Sequence, residues 1–160
     1  NRLKLTKSVD GLLNSDRILI ELLYFLGFDL NHVKKLQARL KIGNDAKKWL
    51  IKSIEINSLI EQKSDFVFYC LLIDKSSDFL VLIHYFNALG LLQESLFHEI
   101  VNSHQKFPIS LLKANDILHL VPAQDISKVL IRAREWQLRN GITDCQVMLD
   151  FIKNKDLNKS

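Results

Sequence analysis

The chain has 160 residues, a formal net charge of +4, and 48% hydrophobic against 25% charged residues. That length suits one domain, or one domain with a small appendage, and can bury roughly 70% of the surface that the unfolded chain exposes. The composition excludes a disordered chain, and five Gly with two Pro are too few for a turn-rich β-fold.

The apolar spacing is helical nearly throughout, so the expected class is all-α, an irregular multi-helix bundle of about seven to nine helices. Residues 16–27 put Ile18, Leu22, Leu23 and Leu26 on one face. Asn31 is the expected cap of a second helix with Val33, Leu36 and Leu40 inward, and Asn44 of a third with Ala46, Leu50, Ile51 and Ile54 inward. Ser64 or Asp65 opens a largely apolar helix to about residue 72, and Ser77 opens another to about 89, stopped by Gly90. A further helix is expected over 93–104. Pro108 then forces a loop, because it lacks an N–H and disfavours helical dihedrals before it. Ser110 opens a short helix ending near Leu120, Pro122 breaks the chain, and Asp125 opens the last long helix, to about Asn140. A short helix over 145–153 and a polar, frayed tail complete the expected order.

Two cysteines, Cys70 and Cys145, have neither metal nor redox spacing, which fits a reducing cytoplasm better than a disulfide scaffold. The longest apolar runs, 18–28 and 66–73, fall short of the ~20 residues that cross a bilayer, so no membrane partner is expected. No signal peptide is visible, and a chain that begins with Asn1 is expected to be processed or cut from a longer one.

Charge is unevenly placed. Residues 1–63 hold 12 Lys and Arg against 7 Asp and Glu, whereas residues 64–160 hold 10 against 11. Within 31–52 seven basic residues (Lys34, Lys35, Arg39, Lys41, Lys47, Lys48 and Lys52) face one acid, Asp45. Such a cluster suits a polyanionic partner, and its competing reading is a solvated helix face.

Catalytic constellations are missing. No Asp-x-Asp pair, no Gly-Ser and no Gly-rich phosphate loop occurs. His98-Glu99 opens like HExxH, but position 102 is Asn, so the two-histidine zinc face is lost. His84, His98, His104 and His119 are scattered and read as structural, and nothing near Cys145 supports a nucleophile pair.

Two stretches carry a resemblance. Residues 107–142 read FPISLLKANDILHLVPAQDISKVLIRAREWQLRNGI: a Phe-Pro, a capping Ser, a short helix, a second Pro, then a basic helix with Glu135-Trp136 that closes at Gly141. This order resembles the tail of the bacterial class II tRNA nucleotidyltransferase / poly(A) polymerase family. Residues 37–54, QARLKIGNDAKKWLIKSI, are similar to the signature that opens the body of the same family, with Arg39-Leu40-Lys41-Ile42 at one helix end and Gly43-Asn44 at the next helix start. DRILIELLYFL before them is similar to its leucine-rich helix, so the resemblance covers about residues 16–153. Asn115-Asp116-Ile117-Leu118 matches its Lys-Asp-Leu-Leu helix, and Ile126, Lys128 and Leu130 the start of its last helix. Three family glycines are absent. Leu111-Leu112 follows the Ser, Ala123-Gln124 replaces a Gly-Pro, and Ser127 replaces a Gly in the last helix, which puts backbone-mediated RNA contacts at 123–127 in doubt.

The resemblance implies a helical body over 1–105 and a tail over 106–160, gripping the acceptor and T-arm side of tRNA. The catalytic head would lie N-terminal in the same polypeptide. Mg and nucleoside triphosphates are implied for that head and no cofactor for this chain, so whether the protein is an enzyme rests on the head. RNA-binding candidates are the seven basic residues of 31–52, with Lys128, Arg132, Arg134 and Arg139 as a second contact. In the last helix Ile126, Val129, Leu130, Ala133, Gln137 and Leu138 fit an inward stripe, with the four cations largely outside it. Trp49 and Trp136 sit among basic residues, the composition of a stacking platform; the competing reading is half-buried packing. The alternative function is an all-α protein-interaction or scaffold module, with apolar segments such as 79–86 partly exposed for a partner helix.

Overall fold

The computed structural model describes residues 13–154, and these form nine α-helices and one 3-10 turn with no strand. The all-α class expected from the sequence is the class observed. The polar tail from residue 155 lies outside the described residues. The chain divides into two compact units, one ending at His98 and one beginning at Glu99. The division falls inside α6 (Glu94–Lys106).

The first unit contains α1 (Asn14–Leu26), α2 (Leu30–Leu40), α3 (Asn44–Glu61), α4 (Phe66–Lys75) and α5 (Asp78–Ala88). Helix α3 is its hub and packs against the other four. It can do so because Leu50, Ser53 and Ile56 are buried while Ile51, Ile54, Leu59 and Ile60 are half-buried, leaving apolar surface on several sides. The buried Ser53 hydroxyl donates to the Trp49 carbonyl at 2.8 Å, so it carries no unmet hydrogen bond. Tyr85 on α5 donates its hydroxyl to Glu21 on α1 at 2.7 Å. Burial, then that bond, pushes the Tyr85 hydroxyl well above its ordinary pKa.

Two expected apolar stripes are corrected. In α1 the buried residues are Asp16, Ile20 and Leu23, while Ile18 and Leu26 are exposed. Helix α1 is apolar nearly all round, so spacing alone does not select its inner face. In α2 Val33 and Leu36 are buried but Leu40 is exposed, because the helix ends there and Lys41 turns the chain in a left-handed conformation (φ 49°).

Two caps, those of α2 and α3, differ from expectation by one or two residues, while Asp65 is one of the two caps expected for α4. Asp29, not Asn31, caps α2, accepting the Asn31 N–H at 2.8 Å. Asp65 caps α4 through the Val67 N–H at 3.1 Å. Asn44 is the first residue of α3 rather than its cap; Gly43 takes the cap position, which leaves the first turn without a side-chain acceptor.

The second unit is built around α8 (Ile126–Asn140), which packs against α7 (Ala114–Ile117), the 3-10 turn Ala123–Asp125 and α9 (Cys145–Asn154). Its core joins Leu112, Ile117, Val121, Val129, Ala133, Met148 and Ile152. Helix α7 is shorter than the helix expected from Ser110. The Ser110 hydroxyl donates to the Leu112 carbonyl at 3.1 Å and the Leu111 N–H donates to Gln137 Oε1 at 3.3 Å, so 110–112 is held by side chains and is not helical. Asp116 then accepts the Lys113 N–H at 2.7 Å and starts the helix instead.

Candidate nucleic-acid interface

In the first unit the candidate cations separate into two groups. Lys34, Lys35, Arg39, Lys41 and Lys48 are exposed and Lys47 is half-buried. Lys34 and Lys35 lie midway along α2, and Arg39, Lys41, Lys47 and Lys48 surround the end of α2 and the start of α3, which the connection Lys41-Ile42-Gly43 joins. Among the described residues, Lys34, Lys35, Arg39, Lys41 and Lys47 take part in no ion pair, and Lys48 pairs at 3.2 Å with exposed Asp45 one turn away. Such an exposed pair contributes little and is readily exchanged for another anion.

Lys52 belongs to neither the surface nor the cluster. Its side chain is 19% exposed and its ammonium bonds the Asp78 carboxylate and, at 2.9 Å, the Ser76 hydroxyl. The same nitrogen lies 5.9 Å from the Trp49 ring centre and 5.4 Å from that of Phe79. Lys52 therefore ties α3 to the start of α5, and its bond holds the Asp78 carboxyl below the usual carboxylate range. The expectation that it faces a phosphate is corrected by this geometry.

In the second unit Lys128, Arg132 and Arg139 are exposed on α8, whereas Arg134 is 3% exposed. Its guanidinium donates to the Phe107 carbonyl at 2.7 Å, to the Ile109 carbonyl at 2.9 Å and to Gln137 Oε1 at 3.0 Å. Arg134 thus fastens the 107–111 segment to α8 and is not on the outer face where the spacing placed it. The signal was present: Arg134 lies four residues from both Leu130 and Leu138 and adjoins Ala133, inside the apolar stripe. Two of its guanidinium nitrogens satisfy the Phe107 and Ile109 carbonyls, which flank Pro108 in a non-helical segment.

Both tryptophans are half-buried. Trp136 stacks on Phe151, ring centres 4.0 Å apart and 6° from parallel, and packs against the second unit's core. Trp49 has Lys52 against its ring. The segment 79–86, offered for a partner helix, is core: Phe79, Leu82, Ile83, Tyr85 and Phe86 are buried.

Exposed aromatic surface lies elsewhere, at the end of α1. Phe86 is 0% exposed and contacts Phe28 at 5.5 Å between ring centres; Phe28 contacts Tyr24 at 6.2 Å, and Tyr24 contacts Phe25 at 5.7 Å. Tyr24 is 44% and Phe25 69% exposed. The rings form a continuous series from core to solvent. Sequence spacing did not single out either residue, because both are adjacent to leucines in a helix that is apolar on most sides.

Among the described residues no group of three His, Cys, Asp or Glu is placed to hold a metal ion, and no helix is long and apolar enough to cross a membrane. No family model, curated protein or solved structure matches the chain.

Proposed function

We propose that this chain is an RNA-holding helical region, the tRNA-binding body and tail of a tRNA nucleotidyltransferase-like enzyme, with no catalysis of its own. The observation that carries the reading is the set of exposed cations, Lys34, Lys35, Arg39 and Lys41, which have no acidic partner among the described residues. A concentration of exposed positive charge on a chain of only +4 raises the local potential and attracts a polyanion. Exposed Lys128, Arg132 and Arg139 lie on α8 of the second unit. The sequence resemblance supplies the class of RNA.

Binding would rest on phosphate neutralisation. It should therefore tolerate sequence changes and weaken with salt, at a log–log slope of roughly −0.7 to −0.9 per phosphate contacted. A paired stem suits this, because side chains read an A-form helix by shape and phosphate position. Titration of the chain with whole tRNA and with a T-arm minihelix at low ionic strength tests the reading. Salt-sensitive binding to either supports it, and no binding to both contradicts it. The charge-reversal control belongs on Lys34, Lys35 and Arg39, since reversing Lys52 would break the α3–α5 tie as well.

One observation favours the protein-interaction alternative. The outward side of α1 carries exposed Ile18, Phe25 and Leu26. A partner protein would use this face and not segment 79–86, which is core.

A further inference from the structure

We infer that Phe25, supported by Tyr24, is a stacking platform for an unpaired base of the bound RNA, beside the phosphate-binding cations of α2. The inference rests on the RNA reading above and names the nucleotide conformation it accepts.

Three observations converge. The first is rigidity. A platform must hold its ring still, and the series Phe86–Phe28–Tyr24–Phe25 anchors the exposed ring to a fully buried one through successive contacts of 5.5, 6.2 and 5.7 Å. Tyr24 meets Phe25 edge-on at 61°, so the outer ring touches Tyr24 without being covered by it.

The second is position. His32 Nδ1–H donates to the Gly27 carbonyl at 3.2 Å, which seats the first turn of α2 on the end of α1. Lys35 lies three residues beyond His32, hence about one turn along the same side of α2. Tyr24 and Phe25 lie in the last turn of α1, at the same end of this helical hairpin. Tyr24, Phe25 and Lys35 therefore lie toward the connected end of α1–α2, whereas Arg39 and Lys41 stand at the other end of α2.

The third is charge complementarity. A protein helix or a lipid surface would satisfy an apolar ring, and a plain duplex backbone would satisfy Lys34 and Lys35. An unpaired nucleotide presents an aromatic face and a phosphate within one residue and matches both. The tryptophans of this chain do not compete for the role, since Trp136 lies against Phe151 and Trp49 against Lys52.

The test uses the full chain, one blunt RNA hairpin, and the same hairpin with a four-nucleotide 3′ extension containing 2-aminopurine. The unmodified chain is expected to bind the extended hairpin about fivefold or more tighter and to quench the 2-aminopurine, the scale of one stacked base. Phe25→Leu keeps an apolar side chain at an exposed site and removes the ring. It is expected to keep its unfolding midpoint and its affinity for the blunt hairpin, and to lose the preference and the quenching. Equal binding of both RNAs by the unmodified chain, or an unchanged preference in Phe25→Leu, overturns the platform while leaving the RNA reading intact. Failure to bind either RNA overturns both. Concentration-dependent self-association or binding to anionic vesicles that Phe25→Leu abolishes, with no preference between the RNAs, assigns the face to another partner and overturns the platform.

Discussion

The Arg134 guanidinium donates to the Phe107 carbonyl at 2.7 Å, so a residue that spacing assigns to an RNA-facing surface is a buried tie between α8 and the Pro108 loop. Replacing it leaves the Phe107 and Ile109 carbonyls without these donors. Arg134→Met is expected to destabilise the chain by about 3 kcal/mol, within the range for losing charged hydrogen bonds in a buried setting. Urea unfolding measures this. A loss below about 1 kcal/mol would mean the tie is dispensable.

The Lys52–Asp78 bond predicts a pH dependence with a definite sign. The folded Asp78 carboxyl titrates below its ordinary 3.8, chiefly because it accepts a hydrogen bond from Lys52. Its contribution is fully present above that ordinary value and disappears as pH falls through the lowered one. Asp78→Asn is therefore expected to be less stable than the unmodified chain at neutral pH. The difference should be no more than about 1 kcal/mol, because the carboxylate is nearly half exposed. The two proteins should converge in acid well below pH 4. A gap that persists unchanged there would exclude the ion pair as its source.

Tyr69 predicts the opposite of the usual core substitution. It is fully buried, its hydroxyl meets no hydrogen-bond partner among the described residues, and burial raises its pKa to about 12. Tyr69→Phe removes an unsatisfied polar group at almost constant shape. It is expected to leave stability unchanged or raise it by about 1 kcal/mol. A clear loss in thermal unfolding would reveal a partner for the hydroxyl.

Trp136 and Phe151 stack with ring centres 4.0 Å apart. A double-mutant cycle with Trp136→Leu and Phe151→Leu is expected to give a coupling of about 0.5–1.5 kcal/mol. Additive effects would show that the rings only fill space.

The fold class was readable because the elements are long and their breaks are chemical. Pro108, Pro122, Gly90 and Gly141 each stand outside a helix, as expected from missing N–H groups or positive φ. Orientation was harder to read. Helix α1 is apolar on most sides, so period does not distinguish Ile18 from Ile20, and only tertiary packing selects Ile20 for the core. The candidate interface was legible as a charge cluster, which located Lys34, Lys35, Arg39 and Lys41 correctly on the surface. It was misleading at Lys52 and Arg134. Sequence counts a cation without showing the carboxylate or carbonyls that reach it from 26 and 27 positions away. Phe25 is the converse case, since exposure of an aromatic residue leaves no mark on composition.

The central claim is that the α2–α3 cations hold RNA, and salt-dependent binding of the full chain to tRNA tests it most directly. The account predicts binding that weakens steeply with salt. In the Lys34→Glu, Lys35→Glu, Arg39→Glu variant, still folded because all three side chains are exposed, it predicts a slope smaller by about 0.7–0.9 for each phosphate no longer neutralised. An affinity and slope equal to those of the unmodified chain, or no tRNA binding by either protein at low ionic strength, would contradict it.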